Sequence, residues 1–329
     1  MNYFLNRIIT TSLVSIIMPA CNAERFIEAS IISVLNQTYK EWELIIIDDG
    51  SVDRTAEIAL FYVKMDSRIL YFYQNNGKQG KARNLGLKNS SGDFIAFLDS
   101  DDLWLSNKLE VQLKQIQEKG VDLVFSDSYI FFNDDVNDVQ KRMEVKQRFY
   151  TGMEAIDLFI EFNRIPLLTV LVKKSKIRAL GDFIEDKNIQ FGEDYHLWLK
   201  LLLNGSVFYS TDLVLAKYRV HNESVTINES SQQWKLMEMF YDLSKINPVF
   251  KPKFVKKVQE MYISFYLENR LSKDELKFYI KKNTAVLSKQ NQELIYLFLN
   301  RIFPAKLTRR VLIYLLNEKI NNSQTCKLS

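Results

Sequence analysis

The sequence predicts an α/β fold built on a doubly wound, mostly parallel sheet and followed by a helical appendage. Three observations predict it. Short apolar runs of strand length alternate with helix-spaced stretches through the first hundred residues. Two of those runs end directly in carboxylates, Ile45-Ile46-Ile47-Asp48-Asp49 and Phe94-Ile95-Ala96-Phe97-Leu98-Asp99-Ser100-Asp101-Asp102. From Ser230 onwards the pattern is helical, with Pro248, Pro252 and Pro304 as punctuation.

The elements follow in order. Leu13–Met18 is apolar enough for a first buried strand. The run from Arg7 to Cys21 superficially resembles a lipoprotein leader, but Thr10, Thr11, Ser12 and Ser15 interrupt it and Pro19 stands where a small flexible residue is wanted. Glu24 to Leu35 carries apolar residues at helical spacing. A second strand covers Glu43–Ile47, and Ser51 and Asp53 are placed to cap a helix through Lys64. A short strand at Ile69–Phe72 leads through the glycine-punctuated loop Asn76–Gly80 to a helix over Lys81–Asn89. The acid-terminated strand from Phe94 comes next. Beyond Trp104 the pattern gives a helix to about Glu118, a strand over Val121–Phe125 and a further strand over Ile165–Val172. Glu193 and Asp194 open a helix, where negative charge suits the N-terminal dipole.

Open parallel sheets bind ligands beyond the carboxyl ends of their strands. Both acidic clusters therefore fall on one edge. Acids crowded there repel one another unless a cation joins them, and hard divalent cations prefer carboxylate oxygens. Asp49 can accept from a nucleobase N–H, and Arg83, with Lys78 and Lys81 beside it, can reach a phosphate. There is no GxGxxG fingerprint and no GxxxxGK[ST] loop, which removes the main support for dinucleotide oxidoreductase or P-loop readings.

Five segments together resemble the family 2 glycosyltransferases: Val14–Glu24, Ser33–Thr38, Ile47–Thr55, Gly80–Gly86 and Asp99–Trp104. The resemblance covers about the first two-thirds of the chain. It implies a GT-A fold over 1–228, with a nucleotide-binding part at about 10–105 and an acceptor part at about 106–228. It also implies a nucleotide-sugar donor, most simply a UDP-sugar, a divalent metal (Mn2+ or Mg2+) and inversion at the anomeric carbon. Carried over by position, Pro19, Ala20 and Glu24 resemble the loop lining the nucleoside. Asp49 resembles the acid on the base, Asp99 the donor-facing acid and Asp101 the metal ligand, while Asp102 is left without a firm role. Cys21 stands where the family often has an aromatic residue to stack on the base.

Asp194 resembles the family's general base. An acceptor hydroxyl needs a carboxylate to take its proton as it attacks, and a metal on Asp101 would stabilise the departing diphosphate. Glu193 is assigned to orienting the acceptor or a neighbouring amide. Trp198, one turn on from Asp194, is either a platform for a sugar ring or core. His221 lies in Tyr218–Thr226, which resembles the family's closing segment, and is assigned to the metal site; Arg219 is not assigned to phosphate. His196 is structural or acceptor-facing. The reaction implied is transfer of a hexose or N-acetylhexosamine to a glycan, on a polyprenyl diphosphate of the O-antigen or capsule type. A nonenzymatic nucleotide-sugar or glycan-binding module would not need Asp99, Asp101 and Asp194 together. A sugar nucleotidyltransferase would need a triphosphate loop that Pro19–Arg25 lacks.

Composition adds the setting. The 329 residues carry a net charge of +4, yet from Glu229 on there are 18 Lys+Arg against 9 Asp+Glu. The basic α-helical region 229–329 thus contrasts with an acidic front half; it reads as a helical cap on the catalytic domain, as a peripheral attachment to an anionic membrane surface, or as both, with no nucleic-acid partner expected. Lys306–Leu316 is basic and then apolar. Two cysteines make no disulfide framework. The expectation is a cytoplasmic enzyme resting on the inner face of the inner membrane.

Overall fold

The protein is described by a computed structural model that covers residues 12–132, 139–189, 192–221 and 229–267. The chain divides into two compact units, Met1–Lys235 and Leu236–Ser329. Among the described residues, the first unit is organised on one ten-stranded sheet.

Its first half is parallel. Strands β1 (Val14–Ala20), β2 (Trp42–Asp48), β3 (Ile69–Tyr73) and β4 (Phe94–Phe97) stand in the order β3-β2-β1-β4. All seven residues of β1 and all seven of β2 are buried, as expected for strands covered on both faces. Helices α1 (Ile27–Leu35), α2 (Thr55–Met65) and α3 (Lys78–Asn89) make the crossovers. The Val14–Ala20 part of the run that resembles a leader is a central strand, paired on both sides. The close fit of α3 to β1 depends on Gly86: a Cβ there would stand 2.5 Å from the Ile17 side chain.

Strand order reverses between β1 and β4, so a crevice opens beyond their carboxyl ends. That is where Ala20, Asp48 and Leu98-Asp99 leave the sheet.

The second half is mixed. It comprises β5 (Leu103–Trp104), β6 (Leu123–Phe132), β7 (Val139–Arg142), β8 (Arg148–Tyr150), β9 (Leu171–Lys173) and β10 (Phe208–Val220). The order runs on from β4 as β9-β6-β10-β5. The pair β6–β10 is parallel, whereas β9 is antiparallel to both β4 and β6. Helices α4 (Lys108–Lys119), α5 (Gly152–Glu161), α6 (Lys174–Ala179) and α7 (Glu193–Leu203) pack around it.

Two expectations change here. The predicted helix after Trp104 begins only at Lys108, because Leu103 and Trp104 pair with β10. The predicted strand Ile165–Val172 is instead a 3-10 turn, Leu167–Thr169, followed by short β9. Its carbonyls are taken by side chains rather than by a neighbouring strand. Trp104 Nε1 donates to Leu168 O (2.8 Å), Gln112 Nε2 to Thr169 O (2.6 Å) and Lys108 Nζ to Val170 O (3.3 Å). Lys108 is wholly buried, with its ammonium 4.1 Å from the Trp104 ring centre, and burial pushes its pKa well down.

In the second unit, α8 (Glu229–Ile246) enters and α9 (Lys251–Leu267) follows, with the Phe240 and Phe254 rings 6.0 Å apart. The predicted helices Lys273–Lys289, Gln292–Phe303 and Lys306–Leu316 lie outside the described residues. Among those described, no helix is long and apolar enough to cross a membrane.

Candidate active site

At the β2 end of the crevice, Asp48 and Asp49 shape the backbone. Asp48 accepts from Ser51 N (2.8 Å) and from the Tyr71 hydroxyl (2.7 Å). Asp49 N donates to Ala20 O (2.8 Å), which ties β1 to β2. The Asp49 carboxylate accepts from Gln74 Nε2 (2.7 Å), Gly77 N (2.7 Å) and Lys78 N (2.9 Å). It therefore caps the start of α3, whose unpaired N–H groups would otherwise be available to a ligand. A carboxylate has about four lone-pair sites; the three bonds leave one, on Oδ2. A cavity of about 240 Å3 lies here, lined by Cys21, Asp49, Asn76, Gly77 and Lys78, and by Ile184 and Glu185 from the opposite wall. That wall is pinned to α3 by Asn84, which donates to Phe183 O (2.9 Å) and accepts from Phe183 N (2.9 Å). Gly80 allows the approach, since a Cβ there would stand 2.7 Å from Ile184 O.

The three residues predicted to contact the nucleoside stand outside the linings of both cavities. Pro19 and Ala20 are buried within β1 and line neither this cavity nor the larger one below. Glu24 also lines neither. Its N–H donates to Asp53 (3.0 Å) and its carboxylate accepts from Arg54 N (3.0 Å), a reciprocal pair that knits the loop after β1 to the start of α2. Asp53 also accepts from Thr55 N, as its predicted capping role requires, while Ser51 accepts instead from Asn22 N.

At the β4 end, Ser30 of α1 fixes the acidic turn by donating to Ser100 O (2.9 Å) and Asp102 O (2.8 Å). Asp99 accepts from Arg83 Nη2 (3.0 Å), and Arg83 Nη1 reaches Glu193 at 2.5 Å. Arg83 is 2% exposed. It is thus a buried bridge from the end of β4 to the start of α7 rather than a free phosphate ligand, and Glu193 is engaged inward rather than with an acceptor. Asp101 lies 3.0 Å from His221 Nε2. Arg219 holds the pair in place: its Nε donates to Asp101 O (2.7 Å), its N to Asp102 Oδ1 (2.8 Å), and its guanidinium lies 4.6 Å from both the Phe26 and Phe131 ring centres. Burial raises the pKa of Asp101, Asp99 adds to it, and the His221 bond opposes it. Asp102 is pushed well up by burial, then by Asp101 and Asp99, and its Oδ2 has no partner.

Asp194 lies beside this bridge at the start of α7. It accepts from Tyr195 N (2.6 Å) and from Asn163 Nδ2 (3.2 Å). Burial, with the Glu193 charge behind it, pushes its pKa up to about 6. Asp99, Arg83, Glu193, Asp194 and Asn163 line one cavity of about 780 Å3, which adjoins the smaller cavity at Gln79 and Glu193. Trp198 is not part of it. It is wholly buried and packs on Phe97 with ring centres 6.4 Å apart, so it belongs to the core. His196, 2% exposed, is buried on the same helix.

The arrangement brings Asp99, Asp101, Asp194 and His221 to the β4 end and Asp49 to the β2 end. Residues 222–228, the rest of the predicted closing segment, lie outside the described residues. Sequence reasoning missed Asn163 and the bridging role of Arg83. Asn163 sits in an irregular link with no periodicity. Arg83 sits within a motif segment, but its partners are 16 and 110 residues away.

Residues 15–174 match the glycosyl transferase family 2 model. The chain is 34% identical over 234 residues to the UDP-Glc:alpha-D-GlcNAc-diphosphoundecaprenol beta-1,3-glucosyltransferase WfgD of Escherichia coli, covering 70% of this chain and 87% of that protein. The protein belongs to glycosyltransferase family 2. It is also 35% identical over 225 residues to the putative teichuronic acid biosynthesis glycosyltransferase TuaG of Bacillus subtilis, covering 68% and 83%. Among solved structures it resembles S. aureus TarS 1-349 in complex with UDP-GlcNAc, with a TM-score of 0.60 at 19% identity over 77% and 73% of the two chains. It also resembles the mannosyltransferase PcManGT from Pyrobaculum calidifontis, with a TM-score of 0.55 at 16% identity over 94% and 87%. The family 2 chain is therefore an enzyme, a glycosyltransferase, on a GT-A fold.

Proposed function

We propose that this glycosyltransferase is inverting and metal-dependent, and moves a hexose or N-acetylhexosamine from a UDP-sugar to a glycan hydroxyl on a polyprenyl diphosphate. The observation that carries the reading is Arg83, which joins the strand end bearing Asp99 and Asp101 to the helix bearing Asp194 across one cavity. Donor and acceptor chemistry are thereby held in fixed register, as a single displacement requires.

In this reading Asp49, with its remaining lone pair, meets the base in the smaller cavity. Asp99 faces the donor. The acceptor hydroxyl enters at Asp194, whose carboxylate takes the proton as the oxygen attacks the anomeric carbon. The UDP leaves on the opposite side, towards Asp101. A pKa raised to about 6 leaves Asp194 ionised at neutral pH and more basic than an ordinary aspartate.

Asp101 and His221 are the residues that would hold a divalent ion. Their fit rests on this chain's own geometry: one half-buried carboxylate and one imidazole meet at 3.0 Å beside Asp99, although the described residues offer no cluster of three ligands. Mg2+-like ions bind through one or two carboxylates and complete their shell with substrate phosphates and water. When bound, such an ion supplies charge neutralisation for the diphosphate. The lipid-linked acceptor is supported by the activity for which the Escherichia coli relative is named, and the basic 229–329 region suits a cytoplasmic enzyme resting against an inner membrane surface.

The test is UDP release from a panel of UDP-sugars with Mn2+ or Mg2+ and a polyprenyl-diphosphate-linked GlcNAc acceptor. Acceptor-dependent release that EDTA abolishes is the expected result. Turnover of GDP-sugars alone, or full activity in EDTA, would overturn the donor or the metal assignment.

A further inference from the structure

With Trp198 in the core, the cleft needs another surface for the acceptor sugar, and we propose that Phe162 provides it. Phe162 is 53% exposed, yet it lines the 780 Å3 cavity beside Asn163, Arg164 and Asp194. Scattered exposed phenylalanines are ordinary, so exposure alone says little. The support around this ring says more.

Arg164 lies with its guanidinium 3.8 Å from the ring centre, and its Nε is anchored to Leu158 O (2.8 Å). Its Nη2 stands 3.6 Å from Glu161. The ring is thus backed by a cation that is itself held at the end of α5. The next residue, Asn163, donates to Asp194 (3.2 Å), and Tyr195 donates its hydroxyl to Phe159 O, which ties α7 to α5. One short segment therefore carries both an aromatic surface in the cleft and the side-chain amide that orients the candidate base.

A pyranose presents an apolar face of axial C–H bonds, which packs on an aromatic ring and leaves its hydroxyls at the edge. A ring stacked on Phe162 would present an edge hydroxyl towards Asp194. The occupant is the acceptor rather than the donor because the donor's diphosphate belongs at Asp99 and Asp101, and attacking and leaving groups stand on opposite sides of the anomeric carbon. The inference rests on the proposed function and adds which residue selects the acceptor.

The experiment compares Phe162→Ala and Phe162→Trp with the wild type in steady-state transfer. The acceptor probes are octyl pyranosides and a short-chain GlcNAc diphosphate, and the best wild-type acceptor is used for the comparison. Removing the ring is expected to raise the acceptor KM about tenfold, with the donor KM and the kcat at saturating acceptor moving far less. Phe162→Trp is expected to restore the acceptor KM. An unchanged acceptor KM in Phe162→Ala, or a rise confined to the donor KM, would overturn the inference. Failure of the wild type to release UDP from any UDP-sugar would strike the function reading instead, which separates the two failures.

Discussion

At the β2 end of the cleft, Asp48 and Asp49 accept hydrogen bonds from Ser51 N, Tyr71, Gln74, Gly77 N and Lys78 N. At the β4 end, Asp101, Asp102 and Asp194 each have their pKa raised, by desolvation first and then by a neighbouring acid: Asp99 for Asp101, Asp101 for Asp102 and Glu193 for Asp194. The first pair stabilises the fold by fixing two turns and a helix start. In the second group ionisation is opposed by desolvation and by neighbouring acids, and a nearby cation would favour it. In the proposed reading the same residue type thus supports structure at one end and chemistry at the other. The distinction lies in whether backbone N–H groups or other acids surround it.

The largest expected effect that breaks this contrast is at Asp194. Asp194→Asn should lower kcat by about 10²–10⁴, measured as UDP-sugar transfer. Its folded stability should hold or rise at neutral pH, because the folded pKa lies above the ordinary value and ionising the group opposes folding. Loss of stability in that variant would put Asp194 with the structural acids. Next comes Arg83→Met, which leaves Glu193 buried without its partner. A loss of about 3–5 kcal/mol in denaturant unfolding is expected, and Arg83→Lys should recover only part of it, since one ammonium cannot span Asp99 and Glu193 as the guanidinium does. Asp49→Asn should cost about 1–3 kcal/mol through the N–H groups it leaves unmet, together with a higher donor KM. An unchanged melting curve would show that the cap on α3 matters little. The smallest effect is at Glu24. Glu24→Gln should cost at most about 1 kcal/mol and leave the donor KM alone, whereas a raised donor KM would return Glu24 to the nucleoside site.

The contrast also marks how far the sequence could be read. The parallel half was legible because β1, β2 and β4 are largely apolar runs of strand length, two of which, β2 and β4, lead into acids. The predicted Glu43–Ile47 strand emerged as Trp42–Asp48 and Ile69–Phe72 as Ile69–Tyr73. The mixed half was not, because β9 is three residues long and follows a turn whose carbonyls are satisfied by Trp104, Lys108 and Gln112, some 60 residues earlier. Local periodicity does not record such bonds. Site residues divided in the same way. Asp49, Asp101, Asp194 and His221 sit in motif segments: Asp49 and Asp194 line the two cavities, and Asp101 meets His221 at 3.0 Å. Trp198 has the helical phase of a site residue relative to Asp194 but points into the core, since α7 buries nearly every side chain. Phe162 and Asn163 gave no signal, because Asn163 is notable for a partner about thirty residues on in sequence and Phe162 for its place in the cavity lining.

The most direct test of the central claim is the pH dependence of transfer at saturating substrates. Below its pKa Asp194 carries a proton and takes none from the acceptor, so the rate should fall as pH drops through about 6. The residual rate of Asp194→Asn should lack that inflection. A wild-type profile that is flat from about pH 5 to 8, or an Asn variant with the same inflection, would contradict the assignment of Asp194 as the base.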